Sequence, residues 1–195
     1  QGRPDYRLQV GDEVISGRHV VIASGARPLI PAIDDLEDVP YLTNESVLDL
    51  RERPESLTII GGGYIGAEYA HFFSAMGTRV TVVQRNDYLV PDEEPEISDL
   101  LKKEMSERMD VHVHTEVAQV SQDEDGIHLT ARDRYDDETI EVVAEQVMVA
   151  AGRQSNADLL RVENAGIETD EQGYVKVNEY LETNRENVWA LGDAT

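Results

Sequence analysis

Six residues constrain this chain more than any others: Gly61-Gly62-Gly63-Tyr64-Ile65-Gly66 fits the spacing G-x-G-x-x-G. Glycines also make ordinary turns, so the context decides what the spacing means. Residues 57–60, apolar apart from Thr58 and mostly β-branched, read as a buried parallel strand. A helix pattern runs from the loop to about residue 76 and closes at Gly77. In such a strand–loop–helix unit the first glycine permits a tight turn, the second admits a close neighbour to bare backbone, and the third lets helix and strand approach. The helix N-terminus adds N–H donors and the positive end of its dipole. Together these features predict a site for the pyrophosphate of a dinucleotide.

About twenty residues on, the end of a second buried strand (79–83) is where an acid would bond the ribose 2′-hydroxyl of NAD. Gln84 and Arg85 stand there instead. A glutamine still bonds hydroxyls, whereas an arginine pairs with a 2′-phosphate, so the pair tilts the expectation toward NADP.

The rest of the chain alternates strand and helix signals. Residues 6–23 read as two strands turning at Gly11-Asp12, followed by an extended linker punctuated by Pro28, Pro31 and Pro40. Thr43 or Asn44 is placed to cap a short helix at 46–50. A helix over 96–109 and a strand over 111–114 come next. Three short antiparallel strands then follow, at 116–120, 127–131 and 139–143, with acidic turns between them. A buried strand at 146–151, a short helix at 157–165, and strands at 174–177 and 188–191 complete the pattern. The fold class is α/β: a Rossmann-type parallel sheet with a three-stranded antiparallel crossover over residues 44–152, flanked by 1–43 and 153–195 from another domain.

Charge narrows the partners. Forty acids against 17 bases leave a net charge of −23, and only Lys102, Lys103 and Lys176 are lysines. Such a field repels nucleic acid and anionic membranes, and neither is expected as a partner. Acids dispersed along the chain suit a halophilic, high-salt cytoplasm, where screening tolerates self-repulsion. There is no cysteine, hence no thiol nucleophile and no thiolate metal site in this chain. A start at Gln1 is what a processed or excised chain would show. His112 and His114 alternate within the expected strand and would share a face, half of a metal site at most, and a structural role is expected for them.

Four segments resemble, in order, landmarks of the FAD-dependent pyridine nucleotide–disulfide oxidoreductases, the group of dihydrolipoamide dehydrogenase, glutathione reductase, mercuric reductase and mycothione reductase. Residues 20–28, including Ser24-Gly25-Ala26-Arg27-Pro28, look like the exit from the FAD domain. The glycine loop with Glu68 looks like the NAD(P) fingerprint. Residues 149–156, around Gly152-Arg153-Gln154-Ser155-Asn156, look like the return segment. Thr183 through Trp189-Ala190-Leu191-Gly192-Asp193 looks like the second FAD motif. The resemblance covers essentially the whole chain, which would be the middle of such an enzyme.

The resemblance implies residue roles. Tyr64 would shield the nicotinamide face of the flavin, and Glu68 would pair with a lysine beside it. Val117 would lie by the adenosine and Gly152 by the nicotinamide. Ser24 and Gly25 would belong to the FAD domain, and Asp193 would accept bonds from the FAD ribityl chain. Four departures stand out: Ser24 for threonine, Gln154-Ser155 for a proline-containing turn that should leave this one looser, Gln84 for an acid, and Pro91 where some NADP-using members carry a second arginine. The intact protein is expected to be a homodimer that passes hydride between NAD(P)H and FAD and acts on a small-molecule disulfide or lipoyl substrate. The family's first FAD glycine loop, Cys-x4-Cys pair and dimerisation domain are not in this sequence, so the chain alone is expected to be inactive and to hold FAD poorly. The alternatives are an NADH oxidase or ferredoxin reductase-type flavoenzyme without disulfide chemistry, and a free-standing dinucleotide-sensing module.

Overall fold

A computed structural model describes residues 6–195 of the chain. The strands are β1 (Tyr6–Val10), β2 (Glu13–Gly17), β3 (Val20–Ile22), β4 (Ala26–Pro28), β5 (Ser56–Ile60), β6 (Arg79–Val83), β7 (Asp110–His112), β8 (Thr115–Gln122), β9 (Ile127–Asp133), β10 (Thr139–Ala144), β11 (Gln146–Val149), β12 (Arg153–Ser155) and β13 (Val188–Ala190). The helices are α1 (Tyr64–Ala75), α2 (Pro95–Ser106) and α3 (Ala157–Leu160). The chain divides into two compact units, Pro28–Gly152 and a second made of the segment up to Arg27 together with Arg153–Thr195.

In the Pro28–Gly152 unit four parallel strands lie in the order β11-β5-β6-β7, and a three-stranded antiparallel sheet has the order β10-β9-β8. Successive side chains of a strand point to opposite faces, and here both faces are covered. Leu57 and Ile59 of β5, Val80 and Val82 of β6 and Met148 of β11 share one core with Ala70 and Phe73 of α1. Ile60, Val83, Val147 and Val149 point the other way, into a second core with Val120, Ile127, Leu129 and Ala131 of the antiparallel sheet. That is why β5 is buried at every position, Ser56 and Thr58 included. Truncating Ile59, fully buried between sheet and helix, would cost roughly 2–5 kcal/mol.

The expected linker is part of this unit, which starts at Pro28 rather than near residue 44. Leu36 is 1% exposed and packs with Val39 into the second core. Leu42 threads beside β11, its N–H donating to Val147 O at 2.8 Å and its carbonyl accepting from Val149 N at 2.8 Å. The short helix after it is a 3-10 turn, Ser46–Asp49, with Thr43 Oγ1 accepting from Ser46 N at 3.3 Å.

In the other unit, β1 and β2 form a hairpin through Gly11 at φ +58°, and β3 is a separate strand, so residues 6–23 hold three strands rather than two. β3 pairs in parallel with β13, with Ile22 opposite Ala190. The core gathers Ile22, Val188 and Ala190 with Ala157, Val162, Ile167 and Val175. The strand expected at 174–177 is only an isolated bridge between Thr169 and Val175, because Val175 N is spent on Ala194 O and Lys176 N on Glu168 O.

The turn at Gln154-Ser155 is not loose, because Arg27 clamps it. Arg27 Nη1 donates to Ser155 O and to Asn156 Oδ1, both at 3.1 Å, and the guanidinium meets Asp158 in a fork at 2.9 and 2.7 Å. With its amide turned so that the oxygen faces Arg27, Gln154 accepts from Nε and Nη2 at 2.8 and 2.7 Å.

Candidate functional site

The glycine loop follows β5, the strand at which the order of the parallel sheet reverses, since β6 and β7 lie to one side and β11 to the other. In open α/β sheets ligands bind at the carboxyl edge at such a switch point. Gly61 turns with φ +110°, and a Cβ there would strike the backbone carbonyl of Ala150, which follows β11. A Cβ on Gly66 would strike the carbonyl oxygen of Gly61, so the first turn of α1 sits directly on the loop. Gly63 differs: a Cβ would meet nothing within 4 Å. The loop is therefore tight where it touches the fold and bare where it faces outward. Gly63 is the N-cap of α1, no side chain caps the helix, and the first intrahelical bond runs from Ala67 N to Gly63 O. The N–H groups of Tyr64, Ile65 and Gly66 precede it, without intrahelical partners and at the positive end of the dipole.

Tyr64 is exposed on this first turn, and its hydroxyl donates to Glu93 Oε1 at 2.8 Å. That bond, with the charges of Glu93 and Asp92, raises the phenol above its usual pKa and keeps it neutral. Glu68 is exposed one turn further along the same helix face. Gly152 stands past the end of β11 at φ +139°, its carbonyl accepting from Leu29 N at 3.0 Å. Loop, Tyr64 and Gly152 thus share one edge of one sheet.

At the end of β6 the two expected ribose readers part company. Gln84 is 6% exposed and turned inward. Its Oε1 accepts from Gly62 N at 3.1 Å and its Nε2 donates to Tyr88 O at 2.9 Å, so the amide braces the glycine loop and is not offered to a ribose. Arg85 is exposed, with Glu116 Oε1 at 3.7 Å from its Nη1. Val117 is 6% exposed, with its side chain in the second core. β7 ends at His112, and His114 takes the left-handed conformation at φ 57°, so the two histidines do not alternate on one strand. Among the described residues no three His, Cys, Asp or Glu side chains are grouped to hold a metal ion, and no helix is long and apolar enough to cross a membrane.

In the other unit β3 and β13 are parallel neighbours, and their ends deliver Ser24-Gly25 and Gly192-Asp193 to one edge, with Leu191 N bonded to Ile22 O at 3.0 Å. Gly25 and Gly192 take φ of +66° and +69°, and a Cβ on either would meet nothing within 4 Å. Ser24 Oγ is buried without a partner, and Asp193 is exposed beside Arg153 at 3.3 Å. Bare backbone, an unmet hydroxyl and an accessible carboxylate fit an extended polyhydroxylated group such as the ribityl chain of FAD. Sequence reasoning missed Arg27, whose spacing carries no signal because its partners lie about 130 residues away.

A parallel sheet with a glycine loop at its switch point, crossed by an antiparallel layer, defines an α/β protein of the doubly wound class. Residues 2–195 match the family model described as pyridine nucleotide-disulphide oxidoreductase, and the chain belongs to that family. It is 36% identical over 191 residues to mercuric reductase of Staphylococcus aureus, covering 98% of this chain and 35% of that protein. Mycothione reductase of Mycobacterium tuberculosis is 39% identical over 194 residues, covering 100% and 41%. Dihydrolipoyl dehydrogenase of Haloferax volcanii is 35% identical over 185 residues, covering 94% and 38%. The solved HOCl-induced flavoprotein disulfide reductase RclA from Escherichia coli, as its Cu(II) complex, superposes with a TM-score of 0.86 at 28% identity, covering 100% of this chain and 44% of that one. The chain thus spans about two fifths of the length of the curated relatives it matches.

Proposed function

We propose that this chain is the pyridine-nucleotide-binding part of a FAD-dependent disulfide oxidoreductase, cytoplasmic and homodimeric when intact, acting on a small-molecule disulfide or lipoyl substrate. One observation carries the reading: at the switch point, bare Gly63 and the uncapped start of α1 face outward while Gly61 and Gly66 lock the loop to the sheet. The N–H groups of Tyr64, Ile65 and Gly66 receive the pyrophosphate. Gly152 lines the nicotinamide end, and Tyr64 covers that end until it swings away from Glu93. Glu68 holds a cation beside the flavin. Arg85 at the adenosine end favours NADP over NAD, because NAD carries no 2′-phosphate for it to pair with. Ser24, Gly25 and Asp193 hold FAD by its sugar chain, and Asp193 exchanges Arg153 for the hydroxyls. FAD, when bound, supplies the ring that exchanges hydride with the nicotinamide and electrons with a disulfide. Dispersed acid with three lysines supports a halophilic setting.

Calorimetric titration of the chain with NADPH and NADH in molar KCl tests this. Saturable one-to-one binding with NADPH the tighter ligand is expected. No heat from either nucleotide, in a chain shown to be folded, overturns the reading.

A further inference from the structure

The adenosine end of this edge carries more positive charge than Arg85 alone. Arg134 opens the turn between β9 and β10, and its Nη1 donates to the main-chain carbonyl of Arg85 at 3.2 Å, across 49 residues. Main-chain bonds fix the two segments together: Arg134 N to His114 O at 2.8 Å, His114 N to Asn86 O at 3.0 Å and Thr115 N to Gln84 O at 3.0 Å. Side chains add to the joint. The Tyr135 hydroxyl donates to Asp87 Oδ1 at 2.8 Å, His114 Nδ1 lies 3.1 Å from the same oxygen, and the two rings meet at a tilt of 58° with centroids 5.0 Å apart. The hairpin tip is therefore held against the segment that ends β6, and Arg85 and Arg134 are both exposed residues.

Of the nearby carboxylates, Glu116 and Asp87 are already engaged, while Asp133, Asp136, Asp137 and Glu138 flank Arg134 along the hairpin. Glu116 stands opposite Arg132 in the β8–β9 register and only 3.7 Å from Arg85, an exposed and exchangeable contact. The bonds from Tyr135 and His114 hold the Asp87 carboxyl below its usual range. In a chain of net charge −23, an Arg134 guanidinium seated on the main-chain carbonyl of Arg85 runs against the overall field.

We propose that Arg134 is the second cation of a 2′-phosphate pocket, acting beside Arg85. The inference rests on the nucleotide-binding reading above. A phosphate monoester carries nearly two charges at neutral pH. One guanidinium forms a bidentate pair with it and a second balances the remainder. The bond to Arg85 O takes one of Arg134's five N–H donors.

The test uses the full flavoprotein, titrated with NADPH and NADH as wild type, Arg134→Gln and Arg134→Lys. Glutamine retains an N–H for the Arg85 carbonyl but removes the charge, which separates phosphate recognition from bracing. Arg134→Gln is expected to weaken NADPH roughly tenfold or more and leave NADH within about twofold. Its NADPH affinity should also fall less steeply with added KCl. Arg134→Lys should keep most of the NADPH affinity. An unchanged NADPH-to-NADH ratio in Arg134→Gln overturns the inference and leaves the loop reading standing. So does equal weakening of both nucleotides, which would assign Arg134 to bracing, and so does a wild type that prefers NADH. A folded wild type that binds neither nucleotide overturns the underlying reading instead.

Discussion

Three glycines of one motif do different physical work here, and substitution separates them. Gly66 touches the carbonyl of Gly61, and backbone cannot yield to a methyl group. Gly66→Ala is therefore expected to cost about 1–3 kcal/mol or more in denaturant unfolding. Gly63 has open space and an extended backbone, φ −74° and ψ −170°, which alanine adopts freely. Gly63→Ala should change stability by less than about 1 kcal/mol, an N-cap preference. Its methyl would stand where the pyrophosphate must approach, so nucleotide affinity should fall roughly tenfold or more. Stable protein with undiminished binding in Gly63→Ala would place the ligand elsewhere. The motif was legible in the sequence because its spacing and its two flanking elements are local, although Gly61 also answers to the distant carbonyl of Ala150. Gln84 was not legible in the same way. Its identity pointed to a ribose contact, but its direction depends on Gly62 and Tyr88, and only the folded loop presents both to one amide.

Elements whose signal is their own periodicity were readable, and elements made by distant partners were not. β6 falls at 79–83 as expected, since its apolar run needs only burial. β4 and β12 are three residues each and carry no pattern; they pair where Arg27 ties the returning chain. The Arg27–Asp158 fork gives this joint a pH dependence. The hydrogen bonds from Arg27 lower the Asp158 carboxyl below its ordinary value near 3.8. A lowered carboxylate contributes stability that is present above its ordinary value and lost as pH falls through the lowered one. Both partners are partly exposed, so the contribution is that of a screened surface pair. Carboxyl-carbon NMR should find Asp158 titrating below the other exposed aspartates that lack a partner, and returning toward 3.8 in Arg27→Gln. An unaltered titration in that variant would remove the clamp from the account of the turn.

At the scale of the whole molecule, screening of one repulsion has two consequences. A net charge of −23 over 195 residues means that compaction brings like charges together. Interactions between exposed charges reach about 10 Å at 0.1 M salt and about 3 Å at 1 M. The melting temperature of the chain should therefore rise by about 5 °C or more between about 0.1 and about 2 M KCl, a gain of roughly 1–2 kcal/mol for a domain of this size. The same screening removes what keeps molecules apart. The β1–β2 hairpin exposes Leu8, Val10 and Ile15, with Leu8 directly opposite Ile15 in register, so the three share one face. Exposed apolar patches self-associate once charge no longer opposes contact. Light scattering should show the chain associating over the same salt range in which it gains stability. Leu8→Ser with Ile15→Ser removes apolar area from an already exposed face, so it should suppress association and leave the salt-driven rise in melting temperature intact. If that variant also loses the rise, the stabilisation comes from association rather than from relieved repulsion. A flat melting temperature in the wild type would mean that the acids are spaced widely enough not to oppose folding.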